Sequence, residues 1–258
     1  MRYTCFVKAD PVSRQCYQVI TTYLNACGWT IDEYNPSLII TIGGDGTVLA
    51  AIHNYLSILD RVAFVGLHTG HLGFFNDYRL EEIKELINDI LYKKAYIEVK
   101  SLLQAVLDND YANPYYALNE IRIENSIKTQ TLQVAVDGKV LEVVRGSGIC
   151  ISGQAGSTAF NRSAGGAVLD DRIEAIQLSE INSQQNSVYS SLNSPLILAG
   201  NRRICINAAD FDGSIMCYDH LFVSLQGRVQ VECTLSDKKV NFARFKPTDF
   251  SDRLKALF

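Results

Sequence analysis

The chain has 258 residues, 47% of them hydrophobic and 20% charged, a usage that excludes disordered, collagen-like and coiled-coil chains and calls for a buried core. Its length suits two modest domains. With 24 Lys and Arg against 28 Asp and Glu the formal charge is −4, and basic doublets occur only at Lys93-Lys94, Arg202-Arg203 and Lys238-Lys239, which argues against a nucleic-acid partner.

The opening MRYTCFVKAD lacks the charged, apolar and small-residue regions of a secretory leader, and Tyr3 to Val7 reads as a strand. Val12 to Cys27 has helical apolar spacing that Gly28 ends. Leu38 to Ile42 is an almost continuous apolar run, the pattern of a parallel strand covered on both faces, and it stops at Gly43. Val48, Leu49, Ile52, Tyr55, Leu56 and Leu59 recur at helical spacing, and Arg61 to Leu67 reads as another buried strand. Leu80, Ile83, Leu86, Ile87, Ile90 and Leu91 form the stripe of a third helix, so the first 95 residues predict an α/β domain with an open parallel sheet.

From residue 96 the period becomes two. Leu132, Val134 and Val136 alternate with polar or small residues, and Asp137-Gly138 is a type I′ hairpin signal leading into Lys139 to Val144. Leu221, Val223 and Leu225 set against Val229, Val231 and Cys233 across Gln226-Gly227 predict a second hairpin. Strands are also expected at Ala117 to Ile123, Ser147 to Ser152, Ser194 to Leu198, Arg203 to Asn207 and Val240 to Phe245, with a short helix within 170–182. Residues 96–240 thus read as a β-sandwich domain, and 241–258 as a C-terminal segment whose helix, Ser251 to Phe258, returns to the first domain.

No apolar run approaches the ~18 residues of a spanning helix, so no membrane partner is expected. The seven cysteines (Cys5, Cys16, Cys27, Cys150, Cys205, Cys217 and Cys233) contain no C-x-x-C and read as reduced core thiols of a cytoplasmic protein.

The chemistry gathers where glycines interrupt strands. Gly43-Gly44-Asp45-Gly46-Thr47 sits at the carboxyl end of a predicted parallel strand and the start of a helix, the usual ligand crevice of such sheets. Glycines let backbone amides approach a phosphate, and one carboxylate stands among them; a tight turn with Asp45 as helix N-cap is the plainer alternative. The segment is neither a P-loop nor a G-x-G-x-x-G fingerprint. Gly156 to Gly166 packs glycines, hydroxyls, an amide and an arginine into eleven residues, either a cradle for ribose and phosphate oxygens or a polar strand-to-helix loop. Asn119-Glu120 puts an amide and a carboxylate into an apolar strand, where adjacent side chains face opposite ways.

Together these segments resemble the NAD kinases: Gly43 to Thr47 matches their GGDGT motif, Leu118-Asn119-Glu120 their NE motif, and Gly156 to Asn161 their GSTAY-type motif. Gly66 to Phe75, including His68, His71 and Leu72, and Ser194-Pro195-Leu196 add to the match, which spans nearly the whole chain. The resemblance implies phosphoryl transfer from ATP or inorganic polyphosphate to the 2′-hydroxyl of the adenosine ribose of NAD, giving NADP. Mg²⁺ would ride on the donor phosphates, with no metal ligand assigned among the side chains. In that comparison Asp45 is the proton acceptor, while the amides of Gly44 and Gly46, beside Thr47, hold a donor phosphate without a nearby lysine. Asn119 and Glu120 take the ribose hydroxyls, Phe74 flanks the adenine, and Thr158, Ala159, Phe160, Asn161, Arg162 and Ser163 line the pocket. Arg145, Ser147, Ala155, Asn182 and His220 align with further pocket positions, and His53, His68 and His71 take structural or pocket-wall roles. Two departures stand out: Arg145-Gly146-Ser147-Gly148 replaces a family Arg-Gly-Asp-Gly, and Phe160 replaces a tyrosine. A lipid kinase of the wider GGDGT superfamily and a non-catalytic dinucleotide sensor are the rival readings. The family resemblance and the predicted sheet edges imply a homodimer or homotetramer.

Overall fold

The computed structural model of the protein describes residues 1–70, 73–184, 191–247 and 249–255. His71, Leu72 and the last three positions of the expected C-terminal helix therefore lie outside the described residues. The chain divides into two compact units, 1–100 with 238–258, and 101–237.

The first unit opens with β1 (Arg2–Val7) and α1 (Pro11–Ala26), which starts where Asp10 accepts the Ser13 N–H at 2.9 Å and a proline occupies the first turn. There follow β2 (Thr30–Ile31), β3 (Leu38–Ile42), α2 (Asp45–Asn54), β4 (Ala63–His68), β5 (Tyr78–Arg79) and α3 (Ile83–Tyr92). All five residues of β3 are buried, including Thr41, whose hydroxyl reaches the Val65 carbonyl at 3.4 Å. Strand β6 (Tyr96–Leu107) carries the chain into the second unit. There β7 (Tyr115–Ala117), β8 (Glu120–Glu124), β9 (Gln130–Val136), β10 (Lys139–Gly146) and β11 (Gly148–Ser152) lead to the four-residue turn of helix α4 (Phe160–Ser163). Strands β12 (Ala175–Ile181), β13 (Leu196–Ala199), β14 (Ile204–Asn207), β15 (Ile215–Tyr218) and β16 (Leu221–Ser224) complete the unit, β17 (Gln230–Arg244) leaves it, and α5 (Phe250–Lys255) closes the first.

In the first unit β1, β3 and β4 lie side by side in parallel, with β2 on one edge and Asn241 and Phe242 of β17 on the other. Its core joins Ile20 and Leu24 of α1, Ile40 and Ile42 of β3, Val65 and Leu67 of β4, and Leu86 and Ile90 of α3. In the second unit an antiparallel sheet of order β13-β12-β11-β8-β15-β16 contributes Ile121, Ile149, Ile151, Ile176 and Met216 to one core. Strands β10, β9 and β14 with the first part of β17 contribute Leu132, Val134, Val144, Ile204, Ile206 and Val231 to the same core, which makes a sandwich. No helix among the described residues is long and apolar enough to cross a membrane.

Three expectations need correction. Residues 175–181 form β12 rather than a helix: it pairs with β11 and β13, and its buried Gln177 is satisfied by bonding Ala167 N–H and C=O through its side chain. The hairpin predicted across Gln226-Gly227 does not exist, because β16 pairs with β15 through Asp219-His220 while β17 pairs with β14. The strand predicted over Ala117 to Ile123 is two strands in different sheets, since the Asp219 carboxylate takes the Leu118 and Asn119 N–H groups at 2.8 Å each and withdraws them from ladder pairing. The Asp137-Gly138 hairpin stands as read, with φ of 50° and 79°.

Candidate functional site

The turn from β3 into α2 carries Asp45. Gly44 is the N-cap residue and makes no side-chain cap, so Asp45 is not the capping group. Its carboxylate turns to residues 74–76: Oδ2 accepts the Phe74 N–H at 2.7 Å, and Oδ1 accepts the Phe75 N–H at 3.2 Å and the Asn76 amide at 2.9 Å. Gly73 permits this approach, for a Cβ there would stand 2.1 Å from Oδ1. A carboxylate offers about four acceptor sites, so with one bond on Oδ2 that oxygen keeps room for a substrate hydroxyl. The Phe74 ring is buried, edge-on to Phe75 and to Phe250 of α5 at 6.0 and 6.1 Å between centroids.

A cleft of about 420 Å³ lies against the same turn, lined by Gly44, Gly46 and Thr47 together with Val7 and Lys8. A lysine, absent from the motif itself, therefore does stand beside these glycines. Parallel pairing sets Val7 beside Ile42, and the Lys8 N–H bonds Ile42 C=O at 2.9 Å, so this lysine, 35 positions earlier than Gly43, reaches the motif through the sheet. Its Nζ stands 3.6 Å from Asp10 and its side chain is mostly exposed. His68 is buried beside Gly44 and accepts the Gly70 N–H at Nδ1, a structural post.

In the second unit the NE and glycine-rich segments meet. Gly156 lies on the backbone of Asn119, where a Cβ would come within 1.8 Å of the Asn119 carbonyl oxygen. Glu120 is 6% exposed and leaves Oε2 without a hydrogen-bond partner, and Asn119 likewise leaves a buried Oδ1 open. Burial, with the Asp219 carboxylate nearby, pushes Glu120 up to about 7, against the pull of Arg122 and the Phe160 N–H. The Arg122 guanidinium also stacks on the Phe160 ring at 4.1 Å, so this ring contributes a platform without a hydroxyl. Asn161 is buried and spent on structure, bonding Ser157 and Ala167 carbonyls and the Ser179 hydroxyl. Ala155 is buried, Thr158 and Ala159 are half-buried, and Arg162, Ser163 and His220 are exposed.

Arg145, Ser147 and Asn182 form a separate group: the Asn182 amide reaches the Ser147 hydroxyl at 3.5 Å, and the Gln184 N–H bonds the Arg145 carbonyl at 2.7 Å. Strand register sets Gly148 beside Glu124 and Ser152 beside Glu120, so Ser147 stands beyond the opposite end of the strand pair from Glu120. At ~3.3 Å per residue that is well over 10 Å away.

Residues 15–96 match the family model described as the ATP-NAD kinase N-terminal domain, and residues 118–245 match the ATP-NAD kinase C-terminal domain. The chain is 38% identical to NAD kinase 1 of Halalkalibacterium halodurans, over all of this chain and 98% of that one. It is 36% identical to an NAD kinase of Staphylococcus aureus, over all of this chain and 97% of that one. The chain belongs to the NAD kinase family. The fold agrees: a yeast NADH kinase crystallised with NADH superposes with a TM-score of 0.83 at 18% identity, covering all of this chain and 86% of that one. An NAD kinase from Archaeoglobus fulgidus in complex with ATP gives 0.78 at 21% identity, covering 99% of each.

The NAD kinase motifs are contiguous in sequence and were found there. Lys8, Asn76 and Asp219, which complete their surroundings, lie outside the motif strings and are joined to them by sheet pairing and turns.

Proposed function

We propose that this chain transfers a phosphoryl group from ATP or inorganic polyphosphate to the 2′-hydroxyl of the adenosine ribose of NAD, forming NADP. The observation that carries the reading is Asp45, a carboxylate fixed by three donors, with acceptor capacity left on Oδ2, beside a glycine-lined cleft. In the reaction the 2′-oxygen forms its bond to phosphorus as the bond to the leaving phosphate breaks, and the hydroxyl proton passes to Asp45 Oδ2. The amides at the start of α2 and the Lys8 ammonium hold donor phosphates. Asn119 and Glu120 hold ribose hydroxyls through their unpartnered oxygens, and the Phe160 platform with Thr158, Ala159, Arg162 and Ser163 lines the adenosine side, while Asn161 braces that segment from within. The roles of Phe74, Arg145, Ser147, Ala155, Asn182 and His220 rest on the family resemblance.

Among the described residues no three His, Cys, Asp or Glu side chains converge on a metal position. Mg²⁺ would come with the donor's phosphates and would neutralise their charge there, with Asp45 as the nearby hard oxygen. All seven cysteines are free thiols, which supports a cytoplasmic setting, and the exposed Ile197 on β13 and Phe222 on β16 suit pairing into a homodimer or homotetramer, read by light scattering.

The deciding experiment measures NADP formation from NAD with Mg²⁺ and either donor, in the wild type and Asp45→Asn. The expected result is wild-type turnover and a loss of about 10²–10⁴-fold in the variant with NAD still bound. NAD binding without turnover on either donor would make the chain a dinucleotide sensor instead.

A further inference from the structure

The Asp45 carboxylate is held by a loop, and that loop is itself held. Phe75 donates its N–H to Asp45 Oδ1 and offers its C=O to Arg244 Nη1 at 2.9 Å, so one residue joins the two side chains back to back. Arg244, the last residue of β17, is 0% exposed. Its Nε bonds Glu98 at 2.6 Å, its Nη1 pairs with Asp77 at 3.0 Å, and its guanidinium lies 4.7 Å from the centre of the Phe242 ring, on which Phe75 stacks at 5.7 Å. Arg253 of α5 and Lys100 close the cluster on the same Glu98 at 3.1 and 2.8 Å. Such a cluster is an expensive way to fill space, since buried ion pairs seldom outdo apolar packing for stability alone. A planar fork with several fixed donors is, however, a good instrument for setting the position of a peptide.

We propose that Arg244 is a positioning residue for the phosphoryl-transfer step: by fixing the Phe75 carbonyl, and with it the 75–76 peptide, it anchors the 74–76 turn whose Phe74 and Phe75 N–H groups and Asn76 amide orient the Asp45 carboxylate. The inference rests on the kinase reading above. Arg244 touches no substrate, and its effect falls on turnover more than on dinucleotide binding, whose candidate residues Asn119 and Glu120 belong to the other unit; of the binding candidates only Phe74 lies in the held loop.

The test compares Arg244→Lys and Arg244→Met with the wild type, scoring kcat per NAD-binding site, KM and Kd for NAD, and the amide proton resonances of Phe74 and Phe75. Lysine keeps the charge that Asp77 and Glu98 require but cannot reach Glu98, Asp77 and the Phe75 carbonyl together. The expected result for Arg244→Lys is a folded protein with NAD Kd within about threefold of wild type, a tenfold or greater fall in kcat, and displaced Phe74 and Phe75 amide resonances. Arg244→Met falls further, toward about 10²-fold, the scale of a 1 Å misplacement. In an Asp45→Asn background the Arg244→Lys change lowers kcat no further, because groups that act as a unit are not additive, while the Phe74 and Phe75 resonances still move. A folded Arg244→Lys enzyme with kcat within threefold and unmoved resonances overturns the proposal, even if Arg244→Met fails to fold. If the wild type makes no NADP the kinase reading fails, while the resonances still report whether Arg244 sets the loop that holds Asp45.

Discussion

Glu120 and Lys8 are the side chains whose charge bears most directly on the proposed substrates. Glu120 is raised from 4.5 to about 7 by burial and by Asp219, so between those values the folded chain holds a proton that the unfolded chain releases. The stabilising effect of that proton is complete below about 4.5 and is lost as pH rises through about 7, where the carboxylate becomes the charged acceptor that ribose hydroxyls favour. NAD affinity should therefore strengthen from pH 6 to pH 8, at some cost in stability of the free protein. Calorimetric titration of NAD across that range should show the slope in the wild type and not in Glu120→Gln; an equal slope in both would remove Glu120 from the ribose. For Lys8, replacement by alanine should raise the KM for ATP about tenfold, the worth of one charge-assisted phosphate contact, while leaving NAD binding unchanged. An unchanged KM would place the donor elsewhere.

At the scale of elements, the glycine-rich segment and the NE segment are one structure, because Gly156 sits on the Asn119 carbonyl with no space for a methyl group. Gly156→Ala should cost about 1–3 kcal/mol and abolish NAD binding, seen as a lower melting temperature and a flat titration; retained affinity would show that the two segments move independently. The elements themselves were readable to the extent that their signals are local. The apolar run of β3, the stripe of α3 and the turn chemistry of Asp137-Gly138 fix those pieces from neighbours in sequence alone. Residues 175–181 do carry a period of two, Ile176 and Leu178 facing the core and Gln177 and Ser179 bonded to the glycine-rich segment, and that alternation outweighs the helix expectation. The switch of sheets at Leu118 and Asn119 has no local signal, because its cause is a carboxylate a hundred positions away. The site follows this rule, with Asp45, Asn119 and Glu120 visible in motifs and Lys8, Asn76, Asp219 and Arg244 invisible outside them.

On the scale of the whole molecule, the first unit is built from both ends of the chain, and its buried charges sit where those ends meet. Burial favours protonation of Glu98, but Arg244, Lys100 and Arg253 outweigh it and hold the carboxyl near 2. Its contribution is then present above about 4.5 and disappears as the pH falls through about 2, so Glu98→Gln should flatten the acid loss of stability in that interval, measured by denaturant midpoints. An unchanged acid limb would assign it to other carboxylates. Strand β17 adds a consequence in time. A ribosome delivers the Asp45 turn in the first fifth of synthesis, but Asn241, Phe242 and Arg244, which border β4 and grip the Phe75 carbonyl, emerge among the last residues. On the proposed reading, a growing chain displays the glycines that would meet phosphate long before the arginine that would set the loop holding Asp45 is made.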